Sequence, residues 1–255
     1  MTAYNSRIMS ADEGALLAAI QTPAESIPGV LAIMRSLDTI LPDGDGLKWF
    51  NWLYLQVTAA VAARVAAGGF QNPEWLTELD VRFANLYFGA LRNWLSGGST
   101  PKCWQALFAR RDDAALARIQ FALAGINAHI NHDLPLAIDA TCDATVTAPR
   151  EDSPEHADYA SVNGTLDSLI ALTKQKLMVR LLGDALPPVS HLEDLIGAWN
   201  IAAAREAAWT NGGVLWDLRG APVLCARWLN GLDGITGVAG QGLLVAVPMV
   251  QATIL

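Results

Sequence analysis

Helix start and stop signals recur along the chain, and no stretch keeps the strict apolar–polar alternation of a half-buried strand. Ser10 and Glu13 have the spacing of a capping box, and Ser26 precedes a second helix. Asn72-Pro73 combines a capping side chain with a proline that the first helical turn tolerates. Gly68-Gly69 is typical of a helix end. The pattern predicts an all-α protein, a bundle of roughly eight to ten helices without a sheet.

Helix boundaries follow from the same signals. A long helix is predicted from Asp112 through about Leu134, and Thr100-Pro101 is expected to open a short one with threonine as its cap. A later helix is expected to end at Asn211-Gly212-Gly213. The loop 147–154 is short for a domain linker. We therefore expect one helical domain over residues 1–255.

The composition excludes several classes of protein. Of the 255 residues, 52% are hydrophobic and 16% are charged, which favours a large core over disorder. The net charge of −8 and the lack of a basic stripe argue against nucleic-acid binding. Three cysteines without CxxC spacing argue against a disulfide framework, and the absence of a basic, then apolar N-terminal run favours a cytoplasmic location.

The C-terminal segment 234–255 is uncharged and rich in glycine. Its length could span a bilayer, but its glycines, glutamines and proline dilute the apolar character. We expect it to pack on the domain or on a partner, including a second copy of the chain, rather than to enter a membrane.

One polar cluster interrupts an otherwise apolar helix, and it sets the functional hypotheses. On a helix His129 and Asp133 are four residues apart and share a face, flanked by isoleucines. Asn127 and Asn131 accompany them, and His132 is placed at the edge of that face or toward solvent. A buried histidine and aspartate must be paired, hydrogen-bonded or bound to a ligand.

Three interpretations of this pair stay open. The first is a structural His–Asp pair that ties helices together. The second is a site for one divalent metal ion, with His129 and Asp133 as two of its ligands. The missing ligands would come from the segment after the loop 147–154, where the candidates are His156, Asp158, Asn163 and Asp167. The third is an acid–base dyad without metal, in which the aspartate orients the imidazole.

A second candidate cluster contains Arg205 and Trp209, which also lie four residues apart. Arg205 is a candidate catalytic or binding residue if its guanidinium faces a pocket and holds a carboxylate or phosphate. Trp209, with Asn127 and Asn131, is a candidate for lining a substrate pocket. The alternative is a helix edge with the tryptophan in the core.

The run Asn127-Ala-His-Ile-Asn-His-Asp-Leu-Pro135 resembles the signature of an uncharacterised bacterial domain-of-unknown-function family. The segments 49–54, 83–87 and 204–209 look like further parts of that pattern, which implies one helical domain and no mechanism. His129 and Asp133 are also similar to two metal-binding positions of the all-helical zinc phospholipase C and nuclease proteins. Because further histidines are few, that similarity implies at most a single metal ion.

These observations favour an enzyme that acts on a small, largely apolar molecule. The first hypothesis is a metal-assisted hydrolase or lyase that uses His129 and Asp133. The second is a metal-free isomerase or cyclase with His129 as its base. The third is a ligand-binding or partner-docking protein without catalysis.

Overall fold

The structure, a computed structural model, describes residues 11–166 and 200–246, and every regular element in these ranges is helical. The all-α prediction is therefore confirmed for the described part of the chain. A π-helical segment, His129–Asp133, joins the sixth helix to the seventh. The helices are α1 (Ala11–Ala19), α2 (Ile27–Ile40), α3 (Gly46–Ala66), α4 (Pro73–Leu95), α5 (Lys102–Phe108), α6 (Arg118–Ala128), α7 (Leu134–Thr145), α8 (154–166), α9 (Ile201–Leu218) and α10 (Pro222–Leu243).

Short polar side chains begin several of these helices. Ser26 accepts a hydrogen bond from the amide of Gly29 at 3.2 Å, and Asn72 accepts one from the amide of Trp75 at 3.1 Å. These contacts confirm two of the predicted caps. The expectation that Thr100 caps α5 is wrong, because α5 has no cap from its own chain neighbours. The α5 amides instead bind the carboxylate of Asp233 on α10.

Helices α3 and α6 lock together through a reciprocal pair of glycines and phenylalanines. A Cβ at Gly46 would lie 2.4 Å from the ring of Phe121, and a Cβ at Gly125 would lie 2.4 Å from the ring of Phe50. In each helix the glycine and the phenylalanine are four residues apart, so both lie on one face. Each ring fills the space left by the missing side chain. This packing presses the aromatic face of α3 against the end of α6, where the π segment begins.

Buried apolar residues form two clusters, and the π segment lies at their junction. The larger cluster packs around α2 to α6 and includes Phe50, Tyr87 and Ala128. The smaller cluster packs α4 and α7 against α8 and α9, and includes Ile130 and Trp209. Ala128 belongs to the larger cluster and Ile130 to the smaller one. The π segment is therefore packed against both clusters.

Two predicted helix boundaries are wrong. The helix expected at Asp112 begins at Arg118, because Asp113 binds the Arg110 side chain and the Ala115 amide in a preceding turn. Gly212-Gly213 does not end a helix, because α9 continues to Leu218. A Cβ at Gly212 would lie 2.7 Å from Ile138 of α7. The missing side chain thus serves a close helix contact rather than a helix end.

Part of the uncharged C-terminal segment completes α10, which runs to Leu243 and packs on α5 and α6. Gln120 of α6 donates hydrogen bonds of 2.8 Å to the carbonyls of Leu243 and Val245. Within the described ranges, every helix is too short or too polar to cross a membrane.

Candidate functional site: two imidazoles on one buried carboxylate

Asp133 is a fully enclosed carboxylate that accepts hydrogen bonds from three side chains. His129 Nδ1 lies 2.9 Å from Oδ2, and Trp104 Nε1 donates to the same oxygen at 2.9 Å. His132 Nδ1 lies 2.8 Å from the other oxygen, Oδ1. Burial raises the pKa of Asp133, but the hydrogen bonds from His129 and His132 outweigh it and hold the pKa below its ordinary value. Asp133 is therefore an anion that orients both imidazoles.

The π-helical turn explains why both histidines face inward. The amide of Leu134 donates to the carbonyl of His129, five residues earlier, whereas in a regular α-helix it would donate to the carbonyl of Ile130, four residues earlier. In a regular helix the ring of Pro135 would clash with the carbonyl of Asn131. The wider turn just before the proline relieves that clash and lets the helix continue as α7. It also turns His132 into the interior, where it is 7% exposed.

His129 lies in an aromatic cage. Phe83 stacks on its ring with centroids 3.5 Å apart and planes 7° apart, and Tyr54 and Phe50 meet it edge-on at 4.5 and 5.6 Å. Burial lowers the pKa of His129 despite its hydrogen bond to Asp133, so the neutral imidazole is favoured. With Nδ1 donating to Asp133, the second nitrogen, Nε2, carries the lone pair. Nε2 is buried and has no hydrogen-bond partner among the described residues.

A cavity of about 90 Å³ adjoins this ring, and we call it the His129 pocket. Its walls are mainly apolar side chains of α3, α4, α6, α8 and α9. The half-buried Leu53 and Gln56 give it a side toward solvent. Tyr54 also lines it, and the Tyr54 hydroxyl is buried without a hydrogen-bond partner among the described residues. Burial raises the pKa of Tyr54 well above its ordinary value, so this hydroxyl keeps its proton.

Arg205 lines the His129 pocket, but much of its guanidinium is already bound. Its Nε donates to Asn163 Oδ1 at 2.7 Å and its Nη2 donates to the carbonyl of Tyr159 at 2.8 Å. The guanidinium carbon lies 4.2 Å from the centre of the Tyr159 ring. These contacts make Arg205 a clamp between α8 and α9 that also forms part of the pocket wall.

Three residues predicted to line a substrate pocket lie elsewhere. Asn131 donates to Asn127 at 3.0 Å, and Asn127 donates to the carbonyl of Thr236 at 2.9 Å, so both face α10. Trp209 is buried in the smaller cluster against Trp75. Periodicity placed these residues on inward faces but could not tell a helix contact from a pocket wall.

The predicted metal ligands are not assembled by the described residues. His156 uses both ring nitrogens, with Nδ1 2.8 Å from the Glu151 carbonyl and Nε2 3.2 Å from Glu206. Its ring packs on Trp209, in the smaller cluster. Asp158 binds the amides of residues 71 and 72 instead. Asp167 lies outside the described residues.

A different group of potential metal ligands forms beside His132. Cys103, His132 and Asp233 each offer a ligand atom, and these atoms lie within 4.8 Å of one another. Sequence reasoning missed Cys103, Asp233 and Trp104, because each reaches the π segment from a distant helix and none stands in a motif.

The fold and this site define an all-helical protein in which one buried carboxylate orients two imidazoles, one of them at the wall of an apolar pocket. The chain belongs to the family of unknown function DUF5995, whose family model matches residues 27–246. This confirms the predicted membership in a domain-of-unknown-function family. The signature run and the likeness to helical zinc phospholipases rest on sequence resemblance alone. Neither the curated proteins nor the solved structures contain a match to the chain.

Proposed function

We propose that this protein is an enzyme of the isomerase type, which moves a proton within a small, largely apolar molecule bound in the His129 pocket. The observation that carries the proposal is the His129 Nε2 atom, which is buried, lacks a partner among the described residues and belongs to a ring that lines the pocket. A buried polar atom without a partner is costly, and a catalytic role is one explanation for such an atom. His129 is the general base of this proposal.

The dyad supports this role through orientation. Asp133 accepts the Nδ1–H bond at 2.9 Å and stabilises the imidazolium that forms when Nε2 takes a proton. Three N–H groups already donate to the oxygens of Asp133. This favours a role for Asp133 in orienting the His129 ring over a role as a metal ligand. The metal-assisted hydrolase that the sequence suggested would need ligands around His129 that the described residues do not provide.

The proposed step balances without a co-reactant. A C–H bond next to a carbonyl or double bond breaks, its proton moves to His129 Nε2, and the electron pair enters the adjacent π system. The Tyr54 hydroxyl, which lines the same pocket, donates a hydrogen bond to the substrate oxygen while negative charge develops there. The imidazolium then returns the proton to a different carbon. The apolar walls limit competing reactions with water.

The size of the pocket restricts the substrate. About 90 Å³ is less than the roughly 150 Å³ of a dry cavity that accepts benzene. We therefore expect a substrate of a few heavy atoms, or an unbranched one whose remainder extends past Leu53 and Gln56.

The first test needs no substrate. In protein labelled with ¹⁵N-histidine, we expect NMR at neutral pH to show His129 neutral, with the proton on Nδ1 and a bare Nε2. A proton on Nε2, or a charged ring, would remove the base from the pocket and overturn the proposal.

The second test measures deuterium uptake from D₂O by small ketones and enones of graded size. His129→Gln should lower the exchange rate by about 10²–10⁴-fold, the usual contribution of a general base. His156→Gln is the matched control, because His156 is bound to the Glu151 carbonyl and to Glu206, and it does not line the pocket. Thermal melts identify any variant that is merely unfolded. Equal loss in both folded variants, or binding of the ketones without exchange by the parent protein, would refute catalysis by His129; the second result would instead leave a ligand-binding protein.

A further inference from the structure

The second candidate site lies on the far side of Asp133 from His129 and joins three helical segments. Cys103 stands in the first turn of α5, His132 in the π segment and Asp233 in the middle of α10. Cys103 is fully buried, His132 is 7% exposed and Asp233 is half-buried. A thiol, an imidazole and a carboxylate with ligand atoms within 4.8 Å of one another combine the three donor types that zinc binds.

The position of Asp233 is fixed from two directions. Its two carboxylate oxygens accept the amides of Lys102 and Cys103, each at 3.0 Å, so α10 caps the start of α5. One turn later Gly237 lets the two helices approach, because a Cβ there would lie 3.2 Å from the Lys102 backbone. Each oxygen has a second lone pair that the capping bond does not use, and the Cys103 thiol hydrogen-bonds to this carboxylate.

The orientation of His132 matches that of a metal-bound histidine. Its Nδ1 lies 2.8 Å from Asp133 Oδ1, so in the neutral ring, with Nδ1 donating, Nε2 is the nitrogen with a lone pair. Histidines that bind a metal usually donate their other ring N–H to a carboxylate or carbonyl, which fixes the ring and raises its basicity. Asp133 supplies that carboxylate here and is itself held by Trp104 at 2.9 Å.

We propose that Cys103 Sγ, His132 Nε2 and a carboxylate oxygen of Asp233 bind one zinc ion. Three protein ligands leave the fourth tetrahedral position to water or another small ligand, as in open zinc sites. Ligands of a tetrahedral zinc ion lie roughly 3.5 Å apart, so no pair of the three groups needs to close by more than about 1.3 Å. In the proposal the Cys103 side chain moves toward the other two ligands, which Asp133 and the α5 amides hold in place.

A cavity of about 340 Å³ lies between α5 and α10, and its lining includes Lys102, Gly234 and Gly237. Lys102 and Gly234 are the chain neighbours of Cys103 and Asp233, so the cavity lies next to two of the proposed ligands, and we expect an ion to enter from it.

The competing interpretation is a capped helix start without metal, and zinc itself is the probe that separates the two. The full chain is stripped with a chelator, dialysed against zinc and assayed for bound metal. We expect about one zinc per chain. Cobalt in place of zinc should give the strong near-ultraviolet absorption of a thiolate–cobalt bond, together with intense visible bands of tetrahedral geometry. This spectrum is measured on the parent protein and needs no variant.

Variants then assign the ligands. Cys103→Ser and His132→Gln should each weaken zinc binding by at least 100-fold, whereas Cys142→Ser, at a second buried cysteine on α7, should not weaken it. Less than one tenth of an equivalent of zinc in the parent, a cobalt spectrum without the thiolate band, or equal loss in Cys142→Ser would each overturn the proposal. The ¹⁵N signal of His129 reports on the other site, so failure of one proposal is distinguishable from failure of the other.

Discussion

Asp80 of α4 is a half-buried acid with one enclosed carboxylate oxygen, and its ionisation opposes folding. Its Oδ2 atom is buried without a hydrogen-bond partner among the described residues, and burial raises the pKa of Asp80 from 3.8 to about 7. Tyr54 and Arg205 line the same small cavity, but neither forms an ion pair or hydrogen bond with this carboxyl. Because the folded pKa exceeds the unfolded one, the folded state binds more protons between these values. The free energy of unfolding therefore falls as the pH rises from about 4 to about 7.

Asp80→Asn removes that dependence and keeps the shape of the side chain. A rise of about three pKa units corresponds to a ceiling of about 4 kcal/mol. The buried amide recovers only part of it, because an amide without partners costs roughly 1–3 kcal/mol itself. We expect the variant to be more stable than the parent by about 2 kcal/mol at pH 8, and the difference to shrink toward pH 5.

Urea denaturation followed by circular dichroism at pH 5, 6, 7 and 8 measures this difference. Asp217→Asn is the matched control, because it makes the same charge change at an exposed position of α9. The control should show no comparable trend with pH. A difference between Asp80→Asn and the parent that does not depend on pH, or one that grows toward acid, would refute the assignment of a raised pKa to Asp80.

Two further substitutions test the packing that holds the site. Gly125→Ala should lower the free energy of unfolding by about 1–3 kcal/mol, because its Cβ would meet the Phe50 ring at 2.4 Å. Gly213→Ala is its control: a Cβ there has nothing within 4 Å, so this variant should raise the free energy of unfolding by about 0.5–1 kcal/mol. Equal urea midpoints for the two variants would contradict the close contact at Gly125. Asp45→Asn should cost about 3–5 kcal/mol, because it removes the negative charge with which buried Arg111 pairs at 2.9 Å. Adding Arg111→Met should restore part of the loss in the same assay, and a double variant no more stable than the single one would show that the pair is not the cause.

The sequence predicted the features that depend on residues close together in the chain, such as helix caps and the His129–Asp133 pair. The caps at Ser26 and Asn72 involve hydrogen bonds to amides three residues away, so a short stretch of sequence contains both partners. The pairing of His129 with Asp133 was one of the alternatives that helical spacing raised, and the structure has the two side chains hydrogen-bonded. These features depend on residues within four positions of each other.

Contacts between distant helices could not be read from the chain in the same way. Asp233 caps α5 across 130 residues, and Trp104 reaches Asp133 across 29. Gly212 shows the same limitation, since a glycine at a helix crossing and a glycine at a helix end look alike in sequence. The environment of the site depends on these long-range contacts, so the sequence placed the histidine and the aspartate but not the cage, the pocket or the thiol.

Asp133 is the least informative residue at which to test either proposal, although it lies between both sites. Its carboxylate orients His129 from Oδ2 and His132 from Oδ1, and Trp104 holds it in place. Removing it leaves three buried donors without an acceptor, so proton transfer, zinc binding and folding would all suffer together. The informative substitutions are those at the two ends of the network, where His129 lines the pocket and Cys103 adjoins α10. A substitution at His129 affects the proposed proton transfer, and one at Cys103 affects the proposed zinc binding. In both variants the Asp133 carboxylate keeps at least two of its three hydrogen-bond donors.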